Sequence, residues 1–423
     1  MSGITKLVEH AKIPRFVKVR QYFPHNELTE EEIIDVVREN FRRPELKERI
    51  KQGQRICITA GSRGISNIVL VLREIVNQVK ALGAEPFIIP AMGSHGGATA
   101  EGQLDILASY DITETTMGCP IYSSMETVVV GEAGGLSVNL DKYADEADGI
   151  IAVNRIKAHT GFKGTYESGL MKMITIGLGK QKGAYLAHSA GDDNMPERLF
   201  LIGSEMIKKR NIIMGVGLME NAFDKTYKIA FLPGEQIPAE EPKLLLEAKA
   251  AMGKIFLEGC DVLVLQKIGK NYSGGGMDTN VVGRSRLPIG IKSERMAIFE
   301  LSAESHGNAT GMGRADVATK KFLSQLSFDA TYPNAITDHD SSTYKIPLIV
   351  DNEQEAMQTA MAICLNIDYE NPRIIILKNS LEIEDILISE ALIPEAKTRQ
   401  ELTIVSQPFD LEFDEAGDLK TII

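Results

Sequence analysis

The chain has 423 residues, a formal net charge of −12 and a pI of about 5.3, with 43% hydrophobic and 25% charged residues. This length allows two or three domains, and the composition is that of an ordinary globular protein with a sizeable core. The acidic balance argues against nucleic-acid binding, which normally requires a basic face. The four cysteines form no CxxC pair, and neither a signal peptide nor an apolar run of membrane-spanning length is recognisable, so we expect a cytoplasmic protein without membrane contact.

Short apolar runs alternate with amphipathic ones along most of the chain, which predicts an α/β protein with mainly parallel strands. In chain order we predict a strand at 55–60, a helix at 66–81, a strand at 86–90, a helix at 99–109, strands at 148–154 and 212–217, a polar then helical segment at 238–254, and strands from 261 onward, at 296–301 and at 374–377. The alternation of strands and glycine turns restarts near 244–255. We therefore predict two α/β domains, at 1–245 and 255–423.

Glycine-containing turns follow three of the predicted strands, at 60–64, 93–97 and 154–164. In open α/β sheets, ligands bind where the carboxyl ends of strands meet helix starts. Glycine in such a turn lets the backbone approach a ligand, and the helix start favours an anion. Plain tight turns have the same composition, so the turns alone leave both interpretations open.

The histidines are more informative because the chain has only seven. His95, His159 and His188 lie in glycine-rich or small-residue surroundings at predicted element ends. A single histidine is more often structural, but three at such places favour an imidazole site for proton transfer or for a metal such as nickel. His306 and His339 are secondary candidates, for which a surface loop is the simpler interpretation. No HExxH motif accompanies them, which disfavours a zinc hydrolase.

One lysine is unusually placed. Lys172 lies in the apolar run LMKMITI, between Met171 and Met173. Such a lysine is either an edge residue with its ammonium group in water or a partly desolvated amine. Desolvation disfavours the ammonium form and makes the amine nucleophilic. Both interpretations stay open at this point.

The order and spacing of these motifs resemble those of the nickel-dependent lactate racemase family, clearly over 55–190 and more thinly towards the C-terminus. AGSRGISN contains the turn arginine, Arg63, and AMGSHGGATAEGQ matches the family's Gly-Thr-His turn with Gly93, Ser94 and His95. The remaining matches are His159 in NRIKAHTGFKG, Lys172 in GLMKMITIG and His188 in AYLAHSAG.

The resemblance implies a racemase or epimerase that inverts C2 of a 2-hydroxy acid by reversible proton-coupled hydride transfer to a nickel-pincer nucleotide. It implies covalent attachment of this cofactor at Lys172 and nickel ligation by His188. It also implies catalytic acid–base roles for His95 and His159. Two opposed imidazoles with pKa values near the working pH can exchange a proton with either enantiomer.

The resemblance further implies the contacts around this centre. Arg63 would grip the substrate carboxylate and, with Gly93 and Ser94, contact the cofactor. The domain at 1–245 would bind the cofactor and the domain at 255–423 would close over the substrate, with the active site in the cleft between them. The expected partners are a small-molecule 2-hydroxy acid and the proteins that make the cofactor.

The chain also departs from the family pattern. Ala60 stands where the family has an aspartate before the turn arginine. In MDTNVVGRSR the chain keeps Asp278 and Asn280, but Gly283 and Arg286 replace a glutamine and a lysine. Glycine removes a side chain from the expected pocket wall, and arginine offers donors for extra oxygens. These changes predict a substrate larger than lactate, such as a sugar acid, bound in part by Arg286.

Two alternatives remain open: a non-nickel oxidoreductase of the same fold and a non-catalytic organic-anion-binding protein. Against a nicotinamide-dependent oxidoreductase, no GxGxxG motif opens a βα unit with an acidic residue about 20 positions further on. Against a pure binding role, Lys172 lies in an apolar run, and binding alone needs no buried amine.

Overall fold

The computed structural model describes residues 3–62, 64–189, 191, 194–338 and 341–420. The chain forms two compact units: unit N comprises His25–Met252, and unit C comprises Met1–Pro24 with Gly253–Ile423. Each unit is built around its own sheet. The predicted α/β class with mainly parallel strands is confirmed.

The strands are β1 (Phe16–Gln21), β2 (Arg55–Ala60), β3 (Glu85–Pro90), β4 (Thr127–Ala133), β5 (Leu136–Asp141), β6 (Gly149–Arg155), β7 (Ile212–Glu220), β8 (Thr226–Pro233), β9 (Gly259–Ile268), β10 (Lys292–Leu301), β11 (Val317–Thr319), β12 (Leu348–Val350), β13 (Ile374–Leu377), β14 (Asp385–Ser389) and β15 (Leu402–Ile404). The α-helices are α1 (Gly3–Val8), α2 (Glu30–Arg42), α3 (Pro44–Lys47), α4 (Ile68–Ala81), α5 (Ala100–Ser109), α6 (Glu114–Met117), α7 (Lys142–Asp145), α8 (Leu170–Lys172), α9 (Lys180–His188), α10 (Met195–Lys209), α11 (Ile237–Ala251), α12 (Thr279–Val282), α13 (Lys320–Gln325), α14 (Phe328–Asp338), α15 (Glu353–Ala362) and α16 (Ile393–Ala396). A π-helical segment at Met173–Gly177 lies between α8 and α9, and short 3-10 turns lie at Gly96–Ala98, Gly234–Gln236, Ala303–Ser305, Met312–Arg314, Ser342–Tyr344 and Glu390–Leu392.

The sheet of unit N has the strand order β3-β2-β6-β7-β8, with only β8 antiparallel to its neighbour. Every residue of β7 is buried, as expected for a strand covered on both faces. The apolar face of α4 packs into the core on one side of this sheet, together with Ile33 and Val37 of α2. The helix α2 begins at a capping box in which Thr29 and Glu32 bond each other's backbone N–H groups, which fixes its start.

The sheet of unit C has the order β12-β11-β10-β9-β13-β14-β1-β15. Its first five strands are parallel, whereas β14, β1 and β15 are antiparallel to their neighbours. Because β1 pairs with β14 and β15, residues 1–24 belong to unit C. The predicted domains at 1–245 and 255–423 differ from the structure in this respect, since the chain starts in one unit and returns to it after Met252.

The predicted elements lie where the structure has strands and helices. The strands at 55–60 and 374–377 match residue for residue, and the strand predicted at 212–217 extends to Glu220. The four cysteines are free and buried. Within the described part of the chain, we find no helix with the length and apolar character needed to cross a bilayer.

Candidate active site

The candidate site lies at the carboxyl ends of β3, β2 and β6, which are adjacent parallel strands of unit N. In this strand order the winding of the chain reverses between β2 and β6, and open α/β sheets bind ligands at such points. A Cβ atom on Gly61, directly after β2, would lie 3.7 Å from Asn154 Oδ1 and 3.5 Å from Met173 Cε. The turn after β2 therefore approaches both the end of β6 and the helical segment beyond it.

His95 lies in the turn between β3 and α5, and its side chain is exposed. Its Nδ1 forms a short contact with the hydroxyl of Ser62, in the turn after β2, so the imidazole joins two neighbouring strand ends. Two backbone carbonyl groups of the His95 turn accept hydrogen bonds from a buried side chain. The buried Gln103 of α5 donates from Nε2 to the carbonyl oxygens of Gly93, at 3.0 Å, and of His95, at 3.2 Å.

The glycines of the His95 turn are explained by packing. Gly93 has φ +60, and a Cβ atom there would lie 3.1 Å from Ile176 Cγ2 and 3.3 Å from Ala184 Cβ. A Cβ atom on Gly96 would lie 2.5 Å from the carbonyl carbon of Gly102, at the start of α5. Their predicted role in letting the backbone approach a ligand is therefore unnecessary to explain either residue.

His159 lies in a loop after β6 that is organised around the fully buried carboxylate of Glu167. Glu167 accepts hydrogen bonds from the backbone N–H groups of His159, at 2.7 Å, and Gly164, at 3.2 Å. Lys163 and Lys249 form ion pairs with the same carboxylate, at 3.2 and 2.6 Å. Buried polar groups need such partners, so Glu167 fixes the backbone on which His159 is mounted.

The ring of His159 is half-buried and stacks on Phe162, with 4.0 Å between ring centroids. The Lys172 Nζ lies 5.6 Å from the centroid of the same phenyl ring. Burial holds the pKa of His159 well below its usual value, and the positive groups Lys172, Lys163, His188 and Lys157 lower this pKa further. The structure therefore brings His159, Lys172 and His188 into one electrostatic neighbourhood.

Lys172 and His188 lie at the two ends of the helical segment formed by α8, the π-helical turn and α9. Lys172 is half-buried and His188 is exposed. Asn154, at the end of β6, donates from Nδ2 to the Gly169 carbonyl at 2.7 Å and so ties the strand to the start of this segment. Wide π turns of this kind often occur at functional sites.

A second buried carboxyl group supports the start of this helical segment. Glu241 of α11 is fully buried and accepts a hydrogen bond from the Met171 N–H at 2.7 Å. Its Oε1 has no hydrogen-bond partner among the described residues, and burial raises the pKa of Glu241 to about 8 against the opposing effect of the Met171 and Leu170 N–H groups. The side chain is therefore largely protonated at neutral pH, directly beneath the turn that carries Lys172.

Comparison with known proteins relates the N-terminal part of the chain to a family. Residues 6–195 match the family model described as the lactate racemase N-terminal domain. Over these residues, which are fewer than half of the chain, the protein is similar to the lactate racemase family. The resemblance identified from the sequence motifs is thereby confirmed.

A solved structure has a similar fold. The lactate racemase apoprotein from Thermoanaerobacterium thermosaccharolyticum is similar with a TM-score of 0.52 and 15% identity, over 87% of this chain and 99% of that chain. A structural-genomics target from Thermotoga maritima has a TM-score of 0.47 and 14% identity, over 66% of this chain and 72% of that chain. No curated protein sequence matches the chain.

The residues named by the lactate racemase resemblance occupy one region of unit N where the structure describes them. Lys172 and His188 both act electrostatically on His159, and His95 lies in the turn after β3, the strand next to β2. Ser94 is half-buried beside His95. Arg63 and the secondary candidate His339 lie outside the described residues.

The candidates in unit C have a different setting. Gly283 has φ +68, and a Cβ atom there would collide with the carbonyl oxygen of Ile291, so backbone geometry accounts for this glycine without an enlarged pocket wall. Asp278 accepts hydrogen bonds from the N–H and side chain of Asn280 at the start of α12. Arg286 is exposed, and His306 is exposed in the turn after β10.

Several residues of the lactate racemase-like site were not selected from the sequence. Glu167 and Glu241 belong to no motif, and Gln103 ends the motif AMGSHGGATAEGQ without standing out in it. A buried polar residue looks like a surface residue when only its neighbours in the chain are known. Lys180 stands in the lysine-containing run GLGKQKGA with Lys182, but only Lys180 is fully buried. Sequence spacing does not separate the two.

Proposed function

We propose that this protein is a racemase or epimerase that inverts C2 of a 2-hydroxy acid by reversible proton-coupled hydride transfer with a nickel-pincer nucleotide. The observation that supports this most is that Lys172 Nζ lies over the Phe162 ring on which His159 stacks, in a chain whose residues 6–195 match a lactate racemase N-terminal domain. Lys172 and His188 also both lower the pKa of His159. These are the residue types that the cofactor's attachment, its metal and the proton transfer each require.

The side chains at the site fit such a cofactor. Lys172 would provide the amine for covalent attachment, and His188 would provide an imidazole for nickel. Lys157 and Lys163 add positive charge near His159, which suits a phosphate-bearing nucleotide. Among the described residues, no group of three His, Cys, Asp or Glu side chains could hold a metal. A pincer nucleotide would supply its own donors to nickel, so a single protein imidazole, that of His188, would suffice as the ligand from the chain.

The bound cofactor would take up and return the hydride of substrate C2. The protein's task would be to move the hydroxyl proton, for which His95 and His159 would serve the two enantiomers. Nδ1 of His159 accepts the Gly161 N–H at 3.0 Å, so its neutral ring carries the proton on Nε2. In this tautomer His159 would present an Nε2–H donor to the substrate, and to act as the base it would have to give up the Gly161 hydrogen bond and take the proton on Nδ1. Arg63 would bind the substrate carboxylate.

Cofactor loading tests the role of Lys172. We expect coexpression with the cofactor-synthesis proteins to add a nucleotide-sized mass to the peptide that contains Lys172. Lys172→Ala should abolish this mass, whereas Lys182→Ala, at an exposed lysine of the same helical segment, should leave it in place. Peptide mass spectrometry makes the measurement. Loading that survives in Lys172→Ala would overturn the attachment site.

Nickel content tests the role of His188. His188→Ala should lose most of the nickel from the loaded protein and keep the native circular-dichroism spectrum, because His188 is exposed and contributes little to the core. His10→Ala, at another exposed histidine, is the matched control and should retain nickel. Full nickel retention in His188→Ala would contradict its assignment as the metal ligand.

A second function deserves a test because the positive groups around His159 would also suit simple binding of an organic anion. A binding protein would bind 2-hydroxy acids without exchange at C2, and a non-nickel oxidoreductase would convert them to keto acids with a soluble cofactor. Chiral chromatography of a panel of 2-hydroxy acids, from lactate to sugar acids, separates the three outcomes. Inversion at C2 by the loaded protein alone supports the racemase or epimerase.

A further inference from the structure

Lys180 is fully buried at the first position of α9, midway between Lys172 and His188. Its backbone has φ +54, a left-handed conformation that a residue with a side chain adopts at a cost. Burial of an ammonium group is also unfavourable unless the group is fully paired. Because both the left-handed backbone and the burial of the ammonium group are unfavourable, we expect Lys180 to make interactions that offset them.

Three acceptors surround the Lys180 Nζ. The Pro90 carbonyl oxygen lies at 2.8 Å, Gln103 Oε1 at 2.6 Å and Asp141 Oδ2 at 3.5 Å. The first two accept hydrogen bonds from the ammonium group, whereas Asp141 Oδ2 forms an ion pair with it. The acceptors come from the end of β3, from α5 and from the end of β5, so Lys180 ties three elements to the start of α9.

Gln103 extends this contact to the His95 turn. Its Oε1 faces the ammonium group, and its Nε2 donates to the carbonyl oxygens of Gly93 and His95. The amide has only this orientation, because the reverse would place N–H groups against the ammonium and an oxygen against two carbonyls. We call Lys180, Gln103 and Asp141 the buried lock.

We propose that the buried lock holds the His95 turn in a fixed position relative to the helical segment that carries Lys172 and His188. Lys180 is thus a positioning residue: it touches no reacting atom and acts through Gln103. Its hold on the turn follows from the geometry, whereas its importance for catalysis rests on the function proposed above. A misplacement of about 1 Å at such a site costs about 100-fold in rate.

Gln103→Glu is the sharpest test. The carboxylate keeps an acceptor for Lys180, so the buried ammonium stays paired. It loses both donations to the His95 turn and places an oxygen against the Gly93 and His95 carbonyls. The matched control is Gln21→Glu in unit C, because Gln21 is also fully buried and also bonds two backbone groups, the Ile383 carbonyl at 2.7 Å and the Phe256 N–H at 3.0 Å.

The main readout is NMR of the protein without cofactor, labelled with 15N in its seven histidines. His95→Gln assigns the His95 signals by their loss. We expect Gln103→Glu to shift or broaden these signals and Gln21→Glu to leave them at the wild-type positions. Unchanged His95 signals in Gln103→Glu, or equal changes in both variants, would overturn the proposal.

A double variant addresses Lys180 itself. Lys180→Met combined with Asp141→Asn removes both charges together, so no unpaired charge is left buried. The amide oxygen of the new asparagine can still accept the Tyr143 N–H that Asp141 now binds at 2.8 Å. We expect the same change in the His95 signals as in Gln103→Glu, and wild-type signals would count against the role of Lys180.

Activity of the loaded protein gives a separate result. We expect Gln103→Glu to lower kcat about 100-fold with a smaller change in KM, and Gln21→Glu to leave both near the wild-type values. If the loaded wild type inverted no 2-hydroxy acid, the proposed function would fail, whereas the NMR comparison would still decide whether the buried lock holds the His95 turn.

Discussion

The His95 turn and the His159 loop reach the same edge of one sheet with opposite buried charges beneath them. Under the His95 turn lies a cation, Lys180, which acts through Gln103 on inward-facing carbonyl oxygens. Under the His159 loop lies an anion, Glu167, which accepts inward-facing N–H groups. The imidazoles also differ, since His95 is exposed and His159 is half-buried and stacked on Phe162.

The difference shows how the backbone determines the support that a site requires. A turn that directs carbonyl groups inward must be met by donors, and one that directs N–H groups inward must be met by acceptors, because few buried backbone groups remain unpaired. Charged partners make the strongest of these bonds. Whether a donor or an acceptor side chain lies beneath each loop is therefore determined by which backbone groups point inward, and not by the imidazole that the loop carries.

The largest expected effect on stability comes from removing the buried carboxylate of Glu167. Glu167→Ala would leave the His159 and Gly164 N–H groups without their acceptor and Lys163 and Lys249 without their counter-ion. We expect the free energy of unfolding to fall by about 3–5 kcal/mol, towards the lower figure because both lysines reach water. Urea denaturation measures this. Glu247→Ala, which breaks an exposed ion pair with Lys228, should cost less than about 1 kcal/mol. Equal losses in the two variants would contradict the role of Glu167.

Glu241 sharpens the comparison because it is a buried carboxyl group with no ion-pair partner among the described residues. Its pKa is raised from 4.5 to about 8 in the folded protein, so the folded state binds the extra proton between these values. The contribution of Glu241 to stability is fully present below pH 4.5 and is lost as the pH rises to 8. From pH 6 to 8 the loss is at most about 3 kcal/mol.

Glu241→Gln should remove this part of the pH dependence. Unfolding measured at intervals from pH 5 to pH 9 should show a shallower decline in the variant than in the wild type. Glu353, whose pKa burial raises to about 7, contributes a decline of the same sign in both proteins and so serves as an internal control. Parallel curves for the two proteins would show that Glu241 titrates as an ordinary carboxylate.

The smallest expected effect is a change in the pKa of His159 when a positive group near it is removed. Lys172→Met removes the cation that most lowers the pKa of His159 after burial itself, so the pKa should rise towards its usual value of 6.5 without reaching it. A pH titration of the His159 signals by NMR measures the change. Lys182→Met removes an exposed lysine that is not among the groups acting on His159, and should leave the titration unchanged.

The fold could be predicted best where strands are buried on both faces. Ile374–Leu377 is a continuous apolar run, and Arg55–Ala60 is apolar except for Arg55 and Thr59, a pattern with few other interpretations. The strand β1 could not be placed in the second sheet, because its partners in β14 and β15 lie at the other end of the chain. The hairpin of β4 and β5 was missed because Val128 and Val129 are both exposed and break the expected alternation.

The site could be predicted in part for a similar reason. Imidazoles and a lysine in an apolar run are rare enough to stand out, and the family motifs fix their order. The buried lock and the two buried glutamates give no such signal, because their importance depends on which backbone groups the folded turns direct inward. Only the structure supplies that information.

The helical segment between Lys172 and His188 has a consequence for changes in chain length. As one straight α-helix, its ends would lie about 24 Å apart, at 1.5 Å per residue. The π turn at Met173–Gly177 and the left-handed Lys180 interrupt that path, and both end groups act on His159. One inserted residue would rotate all that follows by about 100°. Insertions and deletions between Met173 and Gly179 should therefore be tolerated far less well than conservative substitutions there.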